Sequence, residues 1–198
     1  MKIKSFFRYF YWVYLLVLIG TISLWITVFD NLAKNKPYEE VNIIYFGSDL
    51  DDKKMLADLT VYTSTLNQHI KAVNIEVRQV EEDFFSTLLT AKKVTNDIIL
   101  ISEEYMFEYL GGNYFRTLNN VSIHAKYYLE SDIKYGIVVY DKEITNSKFS
   151  EYYSGEKSVY LFFSPDSVNL GKLYNNGKKE NDVAIKVAEY LVGNYGAI

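Results

Sequence analysis

Cysteine is absent from the 198 residues. That excludes a disulfide framework, a thiolate metal site and a lipid-modified cysteine. Histidine is nearly as scarce. His69 and His124 are the only two, far apart and without a second histidine or a carboxylate at H-x-x-x-H spacing, so no metal site or cofactor is expected. No G-x-S-x-G elbow is present either, and the expectation is a protein that is not an enzyme. A basic excess is missing too: the formal charge is −4, and setting aside the three basic residues Lys2, Lys4 and Arg8 leaves −7 beyond them, which argues against nucleic acid as a partner. There is no internal repeat and no low-complexity run.

Charge is also absent from Tyr9 to Phe29, "YFYWVYLLVLIGTISLWITVF". At about 1.5 Å of rise per residue this run makes a helix roughly 30 Å long, the thickness of a bilayer's hydrocarbon core. It reads as a transmembrane helix, with Trp12 and Trp25 near its ends as interfacial anchors. Lys2, Lys4 and Arg8 precede it with no acid among them, whereas Lys34 and Lys36 after it are accompanied by Asp30, Glu39 and Glu40. The positive excess is N-terminal, which puts residues 1–8 in the cytoplasm and everything after the run outside the cell membrane. A cleaved secretory signal shares the basic start and apolar run. The apolar stretch exceeds the usual 7–15 residues, however, and Asn31 and Leu32 make a poor cleavage site ahead of Ala33, so an uncleaved anchor is expected. Gly20, Ser23 and Thr27 fall at i, i+3 and i+7 along one stripe of this helix. They either meet another helix or bond back to the preceding turn.

Residues 30–40 are polar and aperiodic and read as a stalk. Residues 41–198 are enough for one extracytoplasmic domain with a single core. Its first half spells strand, helix, strand, helix, strand. "VNIIYF" is followed by Gly47-Ser48-Asp49 and a helix with Leu56, Leu59, Thr63, Leu66 and Ile70 on its apolar face, capped by Asp49 or Asp51 and ending near His69. Val73, Ile75 and Val77 alternate as in a half-buried edge strand. Phe84, Phe85, Leu88, Leu89 and the stem of Lys92 face inward from a second helix started by Glu82 and Asp83, and "DIILI" from Asp97 is a strand covered on both faces. Tyr105, Met106, Tyr109 and Leu110 suggest a short helix. "KYGIVVYD" and "SVYLFF" are two further strands. The closing helix carries Val183, Ala184, Val187, Ala188 and Leu191 between an Asn181 or Asp182 cap and a Gly193 stop. The expected fold is α/β, a three-layer αβα domain with a mainly parallel sheet and the first strand between the next two.

"FFSTLLTAKKVTNDIILISEEYMFEYLGGNYFRTLNN", "KYGIVVYD", and "VYLFFSPDS" followed by "AIKVAEYLV" resemble segments of bacterial extracellular solute-binding proteins of ABC transporters. Asp97 stands where that family opens a buried strand. The resemblance covers most of residues 41–193, but the chain is too short for the family's two lobes and lacks its lipid-anchored cysteine. It implies a first lobe standing alone on a membrane anchor, a periplasmic-binding-protein-like module that binds a solute or assists a transporter.

Ligands of open α/β sheets sit beyond the carboxyl ends of the strands, where strand order reverses. That points to Gly47, Ser48 and Asp49 after the first strand, and to Ser102, Glu103, Glu104 and Tyr105 after the third, around a small polar groove. The plainer reading is that Gly47 makes a turn, Asp49 caps and the acids are solvated. Tyr128, Tyr152 and Tyr153 look exposed and suit a contact surface. Asn120-Val121-Ser122 matches a glycosylation acceptor. The leading expectation is a non-catalytic accessory or binding subunit of an ABC-type transporter or other membrane complex. The alternatives are a free-standing small-molecule sensor and a structural envelope protein.

Overall fold

A computed structural model describes residues 3–33, 35–66, 70–106, 114–119, 123–143, 146–171 and 182–193, without the side chains of residues 3–9, 30–33 and 82. The chain divides into two compact units, residues 1–36 and 37–198.

The first unit holds one helix, α1 (Ile3–Ala33). Within it Phe10–Phe29 has a mean hydropathy of 2.1 and is long and apolar enough to cross a membrane. Thr27 Oγ1 donates to the Ser23 carbonyl at 2.9 Å, and Thr21 Oγ1 to that of Val17 at 2.8 Å. Both hydroxyls therefore satisfy themselves on the preceding turn. Apart from its chain neighbours and the backbone of its own helix, nothing lies within 4 Å of where a Cβ on Gly20 would sit.

The second unit is built on a six-stranded sheet in the order β2-β1-β3-β6-β5-β4. Its strands are β1 (Glu40–Phe46), β2 (Ala72–Arg78), β3 (Ile98–Ser102), β4 (Tyr127–Glu130), β5 (Ile133–Tyr140) and β6 (Val159–Phe163). β1 lies between β2 and β3 and runs parallel to both, as the strand–helix alternation predicts. The other three pairings are antiparallel. The sheet is therefore mixed rather than mainly parallel. The cause lies in the connections: β4 and β5 are joined through Ser131 and Asp132, both at positive φ, a tight reversal that forces antiparallel neighbours. Among the described residues of the connection between β5 and β6 no α-helix is found, and a 3-10 turn, Lys148–Glu151, lies there.

Helices α2 (Asp52–Thr65) and α4 (Val183–Val192) cover one face of the sheet, and α3 (Glu82–Lys92) the other. On the first face Met55, Leu59, Val183, Val187 and Leu191 pack on Ile43, Ile98, Leu100 and Leu161. On the second, Phe85, Leu89 and Phe115 pack on Ile44, Phe46, Ile99 and Phe162. Phe115 stacks on Phe162 at 4.0 Å between ring centroids. All five residues of β3 are buried, and β2 stands at an edge as its alternation requires.

Three helix details differ from expectation. The buried line of α2 is Met55, Leu59 and Thr63, a strict i+4 row that leaves Leu56 about 100° away and 36% exposed. The helix also stops at Thr65, where Leu66 turns extended; His69 lies outside the described residues. On α3, Phe85 and Leu89 turn inward while Phe84 is 63% exposed. Asp51 caps α2, accepting from the Lys54 amide at 3.0 Å. At α4, Asp182 makes no capping bond and pairs instead with Lys186 at 2.8 Å, while Gly193 ends the helix at φ 59°. Asn181, Tyr109, Leu110 and the Asn120-Val121-Ser122 acceptor lie outside the described residues.

Candidate functional site at the strand ends

The parallel strands β1 and β3 end side by side at Phe46 and Ser102. Gly47 continues from β1, its amide donating to the Arg78 carbonyl at 3.0 Å. A Cβ there would lie 2.3 Å from the Tyr45 hydroxyl and 3.0 Å from Ser102 Cβ, so glycine is required for close approach. Asp49 takes a left-handed φ of 64° and accepts from the Ser48 hydroxyl at 2.6 Å. Four of the expected residues beside Gly47 thus gather at one place, namely Ser48, Asp49, Ser102 and Glu103.

The space they would line is filled by the chain itself. The Tyr45 ring lies across Gly47, with its hydroxyl donating to the Ser48 carbonyl at 2.9 Å. Tyr153 meets it edge to face at 6.4 Å. Segment 152–154 pairs with the loop after β1: the Asp51 amide donates to the Tyr152 carbonyl at 2.8 Å and the Ser154 amide to the Asp49 carbonyl at 3.0 Å. Burial, and then the neighbouring Tyr153, hold the Tyr45 hydroxyl far above the usual tyrosine range. Burial also raises Tyr153, against hydrogen bonds to Tyr45, the Lys157 backbone and Ser102. Both hydroxyls therefore stay protonated near neutral pH.

Glu103 is exposed, as a solvated acid would be, but it is also tied to the chain. Its amide donates to the Ser158 carbonyl at 2.8 Å, and its carboxylate accepts from the Ser158 amide at 3.2 Å. Glu104 stays exposed. Tyr105 turns away from the groove: its ring stacks on Phe85 at 5.4 Å, and its hydroxyl accepts from the Val80 amide at 3.3 Å on the α3 side of the sheet. Tyr152 and Tyr153 are buried, not exposed, because segment 152–154 closes over the strand ends. The Tyr152 hydroxyl donates to Asp58 Oδ2 at 2.8 Å. Tyr128 is half-buried, its ring 5.6 Å from both Tyr160 and Phe162.

What remains open is an outer cleft of about 440 Å³ lined by Asp49, Leu50, Asp51, Glu151 and Tyr152–Ser154. Lys54 reaches its rim and donates to the Glu151 carbonyl at 3.0 Å. Among the described residues no group of three or more His, Cys, Asp or Glu can hold a metal ion, and His124 is exposed. The residues that sequence reasoning missed are Tyr45 and Tyr153 as space-fillers. A signal was present: Tyr45-Phe46-Gly47 and Tyr153-Ser154-Gly155 repeat Tyr-x-Gly, and a Cβ on Gly155 would lie 2.3 Å from the Tyr153 hydroxyl.

Comparison with protein families, curated proteins and solved structures finds no match to this chain.

Proposed function

We propose that the chain is a membrane-anchored, non-catalytic accessory module, held by α1 with its basic N-terminal end in the cytoplasm and its α/β domain outside the cell. It acts by protein contact within a larger membrane complex, and the resemblance to solute-binding proteins points to an ABC-type transporter. The observation that carries this reading is the filling of the strand-end groove by Tyr45 and Tyr153. A solute-binding lobe keeps that space for its ligand. A chain that packs two of its own rings there has more use for its outer surface than for its interior.

The test is purification of the tagged full-length protein in mild detergent, with its mass measured by light scattering and its subunits identified. A stoichiometric polytopic membrane partner is expected. A lone monomer would remove the support for an accessory role, and saturable thermal stabilisation by an amino acid, sugar or peptide would favour the sensor alternative.

A further inference from the structure

The lead-in to the domain is held by buried polar side chains from far along the sequence. Asn169 is fully buried. Its side-chain amide donates to the Glu40 carbonyl at 2.8 Å and to the Pro37 carbonyl at 3.2 Å. Its backbone amide donates to Ser167 Oγ at 3.1 Å, and the Ser167 hydroxyl donates in turn to Asp97 Oδ1 at 2.5 Å. The other carboxylate oxygen of Asp97 accepts from the Asn42 amide at 2.9 Å. The Asp97 amide donates to the Asn42 carbonyl at 2.8 Å, and the Asn169 carbonyl accepts from the Ala184 amide at 3.2 Å, in the first turn of α4.

Buried polar groups are costly unless paired, and three of them gathered around one segment make its position all-or-none. On its other side the same segment is tied to the edge strand β2: the Lys71 amide donates to the Glu39 carbonyl at 2.7 Å, and Glu40–Asn42 pair with Ala72–Asn74. The Lys71–Glu39 ion pair at 3.1 Å, with a lysine side chain 57% exposed, adds little.

We infer that Asp97, Ser167 and Asn169 form a clasp that locks residues 37–42 onto the domain. With the clasp closed, the domain is gripped from Pro37, ahead of β1. With it open, residues 37–42 and the start of the edge strand β2 paired with them come away from β3 as a local unit while β3, β6 and α4 stay folded.

The test is cleavage of the full-length protein in mild detergent by a protease that cuts after glutamate. In the wild type the bonds after Glu39 and Glu40 resist. In Asn169→Ala they are cut about tenfold faster or more, while the bonds after Glu103 and Glu189 are unchanged, because cleavage follows the open population. If Asn169→Ala unfolds the whole domain, all four sites are cut together; Ser167→Ala, which leaves the Asn169 amide on Pro37 and Glu40, then carries the test with the same local pattern. Rapid cutting at Glu39 and Glu40 in the wild type overturns the clasp, as do rates unchanged in both variants or simultaneous cutting at all sites in both.

Discussion

Tyr45 and Tyr153 meet edge to face, their centroids 6.4 Å apart and their planes at 81°, and each ring lies across the glycine two residues further along its own chain. The two Tyr-x-Gly segments come from opposite halves of the domain, and together they close the ends of the parallel strands.

Alanine at either glycine must therefore push a buried ring. Gly155→Ala places a methyl group 2.3 Å from the Tyr153 hydroxyl and 2.4 Å from the ring carbon that bears it, and a destabilisation of about 1–3 kcal/mol is expected in urea unfolding. Gly155→Ala with Tyr153→Leu should cost less than the sum of the two single changes, since the second relieves the clash made by the first. An additive pair would show that the ring does not lie over the glycine.

The Tyr152 hydroxyl is spent on Asp58, at 2.8 Å. Tyr152→Phe leaves that ring in place and removes the bond, for an expected loss of about 1–2 kcal/mol with an unchanged urea m-value. Asp58→Asn keeps an acceptor and should lose less.

Acid should loosen the edge strand β2. Glu76 accepts from Lys92 and Arg78, each at 2.6 Å, and the hydrogen bond from Lys92, ahead of that from Arg78, holds its carboxyl below the usual glutamate range. A lowered folded-state value means stability that is present above the unfolded value and lost as pH falls through the folded one. Asp141 beside Lys126 behaves alike. Asp97 has the opposite sign: burial raises it against its hydrogen bonds, so its contribution is full at low pH and is lost as pH rises through the raised value. In Glu76→Gln the acid limb of a stability–pH curve should flatten; an unaltered limb would show that the pair contributes nothing.

Residues 37–198 form a compact unit. A fragment beginning at Pro37 should stay in the supernatant after carbonate washing of membranes and unfold at the midpoint of the full-length protein. The full-length chain should remain in the pellet. Full-length protein in the supernatant would contradict α1 as a membrane anchor.

The local pattern made the βαβαβ half of the domain legible. Its strands end in glycine and acid, its helices show three-and-four spacing, and a parallel sheet with β1 in the middle follows from right-handed crossovers. It did not reveal the direction of β6. A run such as Val159–Phe163 is equally apolar whichever way it lies, and its antiparallel course depends on what precedes it. Leu56 and Phe84 show the same limit at finer grain, because a helix with apolar residues on adjacent positions can turn either one inward, and the neighbouring strands choose.

At the candidate site, composition brought Gly47, Ser48, Asp49, Ser102 and Glu103 to the strand ends, since turn residues follow strands wherever the sheet is parallel. Whether the space among them stays empty depends on a segment about a hundred residues away, whose approach no local period records. The charge-free run before the stalk needed no such information: about twenty apolar residues satisfy their own backbone as a helix in any surroundings. Chain-local physics therefore accounts for the apolar helix and the first three strands. The closed groove and the clasp on Pro37 and Glu40 arise from contacts between distant segments, and these exist only once the core has brought Tyr153 against Tyr45 and Asn169 against the start of β1.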